Sequence, residues 1–242
     1  MTKTYPDMLL TGNYEHLPLS NGDIAPVRVR VDGRSKQISL KVEKVGGLVT
    51  LTAPTAAKLP EARRFMSKRT RWIAERRAEA QKITPFAPGS VIPFLGNMCT
   101  IVHDTDAKDL VKIKEGQILV GGVRSSISRL TTRFLKSEAL RRLTLSTNKY
   151  AALSGKKVLR ISVRDAKTRW GSCSADGRLS FSWRLVMAPE NVLDYVAAHE
   201  VAHLEYMNHS DQYWAHLAEI FPDFKVAEVW LKKNGPSLRC YG

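Results

Sequence analysis

The sequence predicts a mixed α+β protein, with a β-rich N-terminal part ahead of a largely helical domain that carries a few antiparallel strands. Three observations carry that prediction. Apolar and polar residues alternate over about 25–52, 91–120 and 159–186, the period of half-buried strands. Apolar residues recur at helical spacing over about 60–82, 125–153 and from 189 onward. The pentad His199-Glu200-Val201-Ala202-His203 falls inside the last of these helical stretches.

Taken in order, the elements justify themselves. Val27, Val29 and Val31 alternate with arginines, Asp32-Gly33 signals a turn, and Ile38, Leu40 and Val42 alternate again; Gly46-Gly47 turns the chain into a strand from Leu48. A β-meander is expected. Pro60 opens a helix to about Lys82, with Phe65, Met66, Trp72 and Ile73 on one apolar stripe and arginines as its solvated face. A second β-rich stretch over 91–120 includes a hairpin around Glu115-Gly116. Gly121-Gly122 marks a junction that divides the chain into 1–122 and 123–242, and no internal repeat is evident.

Beyond the junction, Ile127, Leu130 and Phe134 lie on one face of a helix. Leu159, Ile161 and Val163 alternate with Arg160, Ser162 and Arg164 in a strand. After Trp170-Gly171-Ser172-Cys173 and an Asp176-Gly177 turn, Leu179, Phe181, Trp183 and Leu185 face one way in a strand over 178–186, and Arg178, Ser180, Ser182 and Arg184 the other. This strand is a candidate rail for an extended peptide. Ala188-Pro189-Glu190-Asn191 starts the helix of the pentad, with Val192, Tyr195, Val196 and Ala202 at helical spacing. Further helices are expected over about 211–220 and from Pro222 to Gly235.

Bulk properties narrow the class. A chain of 242 residues with 43% hydrophobic residues can bury a sizeable core, and no apolar run approaches the roughly 20 residues of a membrane span. The stretch Met1–Leu10 lacks the apolar run of a signal peptide. Cys99, Cys173 and Cys240 are odd in number and widely separated, which argues for reduced thiols in the cytoplasm and against a cysteine-built metal site. The net charge of +15 makes nucleic acid a candidate partner through a basic surface, though charge alone names no partner. Two basic clusters stand out, the helix at 60–82 and the run Lys156, Lys157, Arg160, Arg164, Lys167 and Arg169; the run, nearer the pentad, is the better candidate for a polyanion groove. Oligomeric state is not encoded in any of these patterns.

The pentad carries the chemistry. Two histidines four apart project from one helix face, so both imidazoles can reach a single metal. Zinc takes neutral imidazole nitrogen at about 2.0–2.1 Å, and a catalytic site keeps three protein ligands and one open position. Glu200 stands where a general base can take a proton from an activated water. His209 is the candidate third ligand, provided that the chain turns after His203. Asn208 is able to end the helix in the left-handed region and Ser210 to cap the next one. Glu219 and Glu228 compete for the same role. Tyr195, Tyr206, Tyr213 and His216 are candidate donors to a tetrahedral oxyanion. A thiol nucleophile at Cys173 has no histidine beside it in sequence and is disfavoured.

Trp170-Gly171-Ser172-Cys173, Trp183-Arg184-Leu185-Val186, Ala188-Pro189, Asp194-Tyr195-Val196, the pentad with Leu204, and Asn208-His209-Ser210 together resemble the YgjP-like metallopeptidases, relatives of the SprT-like zinc peptidases. The resemblance spans about 25–235. It implies a zincin-like fold, Zn2+ held by His199, His203 and His209, and Glu200 as catalytic acid/base. It also implies a peptide or protein substrate and raises action on DNA-bound proteins, which SprT-like relatives degrade. Metzincins match less well, because Tyr206 replaces their glycine. Three classes of function stay open at this point: a general zinc peptidase, a nucleic-acid-dependent protease, and a non-catalytic module with a structural metal.

Overall fold

A computed structural model describes residues 14–107 and 110–242. The expectation drawn from Met1–Leu10 lies outside them. The chain divides into two compact units, the first ending at Ile83 and the second running from Thr84 to Gly242.

In the first unit, β1 (Tyr14–Pro18) and β2 (Ile24–Val31) form one hairpin, and β3 (Ser39–Val42) and β4 (Val49–Ala53) another. The two join through a parallel pairing of β2 with β4, giving the order β1-β2-β4-β3 in place of the expected meander. Burial explains the exchange. Val27, Val49, Leu51 and Ala53 are fully buried, whereas β3 has no buried residue, so β4 takes the centre and β3 the edge. The helix expected over 60–82 is two helices, α1 (Leu59–Ser67) and α2 (Thr70–Ala78). Arg69 leaves helical geometry between them (φ −124°, ψ 21°). That break turns Ala62, Met66, Ile73 and Ala74 into the core and leaves Trp72, expected there, 37% exposed. The surrounding arginines meet acids: Arg63 pairs with Glu15, Arg71 with Glu75 and Arg76 with Glu79.

The second unit opens with a sheet of the same topology. β5 (Val91–Phe94), β6 (Asn97–His103), β7 (Val111–Lys114) and β8 (Gln117–Val120) take the order β5-β6-β8-β7, again two hairpins joined by a parallel centre. The repeat is one of topology and leaves no periodicity in the sequence. Ile92, Ile101, Ile118 and Val120 share one core with Leu130, Leu135 and Leu143 of α3 (Ile127–Leu153) and with the helices that follow. The compact units therefore part at 83/84, and the expected junction at 122/123 falls within a shared hydrophobic core.

After α3 comes a three-stranded sheet of β9 (Arg160–Arg164), β10 (Gly171–Cys173) and β11 (Arg178–Ser182). β11 is central, antiparallel to β10 and parallel to β9. The strand expected over 178–186 stops at Ser182. Trp183, Leu185, Val186 and Met187 are all buried in a 3-10 turn that carries the chain into the core. The remaining helices are α4 (Glu190–Ala202), α5 (Asp211–Ile220) and α6 (Phe224–Asn234). Among the described residues, no helix is long and apolar enough to cross a membrane.

Candidate metal centre

α4 supplies the first half of the site. Glu190 lies in its positive first turn and pairs with Arg142 at 2.6 Å. Val192, Leu193, Val196, Ala197 and Val201 are buried, so the helix is gripped from several sides and its C-terminal end is held in place. His199 and Glu200 lie in the last turn, and His203 occupies the capping position just beyond Ala202. Asn208 does not take the left-handed conformation; among the described non-glycine residues only Leu95 and Glu115 have positive φ. The helix has already ended at His203, and a turn carries the chain to Ser210, whose hydroxyl accepts from the Tyr213 backbone N–H at 3.4 Å and starts α5.

That turn brings His209 back over the helix. His199, His203 and His209 form a group whose ligand nitrogens lie within 4.8 Å of one another. The Nε2 atoms of His199 and His209 are 3.4 Å apart. Two nitrogens each about 2.0–2.1 Å from one tetrahedral metal lie roughly 3.4 Å apart, so this spacing fits a shared cation. The tautomer of His203 also fits: its Nδ1 donates to the Tyr206 carbonyl at 3.0 Å, leaving Nε2 with a free lone pair. Burial, and then the charges of His203 and His209, push the His199 imidazole down to about 3, so it stays neutral and able to ligate at ordinary pH. Burial also lowers His203, against the opposing pull of its bond to Tyr206.

Aromatic rings hold this cluster. Tyr213 is fully buried with its ring centroid 4.7 Å from His203, 4.8 Å from His209 and 5.5 Å from His199, and its hydroxyl donates to the His199 carbonyl at 3.1 Å. Trp214 lies along His209 at 5.5 Å. Of the candidate oxyanion donors, Tyr213 is thus engaged beneath the histidines, and Tyr195 is buried edge-on to His199 at 5.8 Å. His216 bonds Ser154 at 2.7 Å and packs on Tyr206. Neither competing carboxylate joins the cluster: Glu219 sits beside His216, and Glu228 pairs with Lys232 at 2.7 Å.

Glu200 is 5% exposed, and its carboxylate lies against Gly171 of β10. Burial pushes its carboxyl up to about 8, with the Arg169 charge pulling the other way. Burial, then the Glu200 and Asp176 charges, push the neighbouring Cys173 thiol up to about 11, which keeps it from acting as a thiolate. β11 has partners on both edges and cannot act as a peptide rail. β10 lies at the edge of the sheet and touches α4. Gly171 and Trp214 have no role assigned from the sequence, and Arg169 stands there only as one member of a basic cluster. The glycine between Trp170 and Ser172, at the start of a strand, is the one signal that pointed to a close approach.

A sequence model of the YgjP-like, metallopeptidase domain family matches residues 36–234. No curated protein matches the chain. Among solved structures, the metallopeptidase zymogen abylysin of Pyrococcus abyssi is similar at 19% identity, over 38% of this chain and 93% of that one, with a TM-score of 0.35. With the family domain covering most of its length and a three-histidine group at its centre, the chain belongs to the YgjP-like metallopeptidase domain family.

Proposed function

We propose that this metallopeptidase hydrolyses peptide bonds with Zn2+ held by His199, His203 and His209 and with Glu200 as general base. The carrying observation is the convergence of three imidazole nitrogens within 4.8 Å, next to a buried carboxylate and an edge strand. Three neutral nitrogen donors and no thiolate suit zinc, with one coordination position left open. Bound there, the ion supplies Lewis acidity toward a substrate carbonyl and toward the attacking water.

The protein's own groups do the rest. A peptide laid along the free edge of β10 is held by its backbone amides and carbonyls, which aligns it past Glu200. The Glu200 carboxylate takes a proton from the attacking water and passes it to the leaving amine. The Arg169 charge favours the ionised carboxylate, against the acid form that burial enforces. Tyr213 and Trp214 hold the rings in place and exclude water from one side of the cluster. The spacing and type of the cysteines support a cytoplasmic setting.

The test is Glu200→Gln. The variant should keep one equivalent of zinc while cleavage of a quenched fluorescent peptide falls by roughly 10²–10⁴. Wild-type-like cleavage by that variant would remove Glu200 from the mechanism.

A further inference from the structure

The sheet of β9–β11 has two unlike faces. Ile161, Val163, Leu179 and Phe181 point into the core. The alternate residues point outward, and strand register sets them side by side: Arg178 opposite Arg160, Ser180 opposite Ser162, and Ser172 opposite Ser180. With Arg164, Arg169, Thr168 and Ser174 they line an open groove of about 770 Å3.

Charge in this groove is poorly compensated. Arg160 and Arg178 are directly opposed like charges, an arrangement that costs stability in a sheet. Arg178 has Asp176 at 3.1 Å, but Arg160 and Arg164 have no carboxylate partner among the described residues. Apart from the Asp176 carboxylate, which Arg178 engages, the polar lining is guanidinium groups interleaved with serine and threonine hydroxyls, and the excess of positive charge suits anions.

The groove does not contain the Glu200 carboxylate but borders it through the edge strand. Gly171 and Cys173 belong to its wall through the edge strand, Gly171 abuts Glu200, and Arg169 lies in the groove with its charge acting on Glu200. An extended peptide along β10 would send alternate side chains to opposite faces of the sheet. Every second one therefore goes to the outer, arginine-lined face.

We propose that this outer face selects substrates, drawing in peptides with carboxylate side chains at alternate positions beside the scissile bond. The inference rests on the reading of β10 as the strand along which the peptide lies, and it adds the substrate class. Charge complementarity and continuity with Glu200 favour a peptide over a nucleic acid, which would need no contact with the catalytic edge.

The experiment uses the full chain and two labelled decapeptides that differ only in Glu or Gln at alternate positions, with a single-stranded oligonucleotide as a third probe. Cleavage by the zinc-loaded protein and binding to Glu200→Gln are both measured at low ionic strength. The Glu peptide should be preferred by roughly tenfold in each assay, a margin that a few exposed charge pairs can supply and that salt should erase. Arg160→Glu with Arg164→Glu should abolish or invert the Glu/Gln ratio, and the Gln pair at the same positions should flatten it if charge reversal disturbs folding. Equal handling of the two peptides overturns the proposal. So does a preference that survives both double variants, or a loss confined to the oligonucleotide. Arginine-dependent binding of the Glu peptide without any cleavage would uphold the groove and sink the catalytic reading instead.

Discussion

Gly171 lies so close to Glu200 that a Cβ at position 171 would come within 2.6 Å of the Glu200 Cγ and 2.8 Å of its Cδ. The closeness has two consequences. It brings the edge-strand backbone against the carboxylate with nothing between them, and it makes glycine a steric requirement of the site.

Gly171→Ala should therefore displace the Glu200 side chain while leaving the histidine cluster intact. Overpacking of this kind costs roughly 1–3 kcal/mol. Peptide cleavage should drop at least about tenfold with the zinc content unchanged, since a small misplacement of a reacting group can cost as much as 10²-fold. Zinc stoichiometry and kcat measured on one preparation separate this from loss of metal. Wild-type kcat in the variant would mean that Glu200 does not need its observed position.

The three histidines differ in burial, and so should their variants. His209 is exposed on the turn before α5, whereas His199 is largely buried in α4. His209→Ala should leave the metal-free protein's unfolding free energy within roughly 0.5 kcal/mol of wild type. His199→Ala should cost the metal-free protein more, because it opens space among Tyr195, His203 and Tyr213. Zinc affinity should fall sharply in both. Denaturant titration with a chelator present, alongside competition with a zinc-responsive dye, reads the two effects apart. Full zinc affinity in His209→Ala would return the third-ligand role to another group.

Tyr213 tests how the cluster is held. Removing its hydroxyl leaves the His199 carbonyl without that 3.1 Å bond but keeps the ring beneath the imidazoles. Tyr213→Phe should cost about 1 kcal/mol of stability, the usual worth of one neutral hydrogen bond, and retain most activity. Tyr213→Ala should cost several times more, as for other large-to-small core changes, and should weaken zinc binding. Loss of catalysis in the phenylalanine variant with stability unchanged would instead mark the hydroxyl as a participant in the reaction.

The site was legible because its signal is local. His199, Glu200 and His203 share one helical turn, and Ser210 announced a new helix start three residues before its partner Tyr213. Gly171 was not legible in the same way, because its role depends on a contact with Glu200, distant in sequence. The same reason hid the strand exchange. Nothing local distinguishes a meander from two hairpins joined in parallel; in the first sheet the choice follows from burial, since β4 carries Val49, Leu51 and Ala53 into the core while β3 buries none of its residues. The alternation over 178–186 misled for a related reason. Trp183 and Leu185 are apolar because a 3-10 turn buries them, and their spacing only imitates a strand.

Proton linkage gives the last prediction, for the metal-free protein. His199 in the folded chain is pushed down to about 3 from 6.5. Between those values the unfolded chain binds the extra proton, so this contribution is complete above pH 6.5 and is lost as pH falls toward about 3. Glu200 runs oppositely, from 4.5 up to about 8. There the folded chain binds the extra proton, so its contribution is complete below 4.5 and is lost as pH rises through about 8. Chelated wild type should thus lose stability on the alkaline side relative to Glu200→Gln, which carries no titrating group at that position. Melting temperatures of both proteins across this range check it. The gap should widen steadily from mildly acid to mildly alkaline pH, and a flat difference would show that burial of Glu200 does not govern its proton. Added zinc should raise the wild-type melting temperature most on the alkaline side. There His199 is already neutral, and a nearby cation relieves the cost of ionising Glu200.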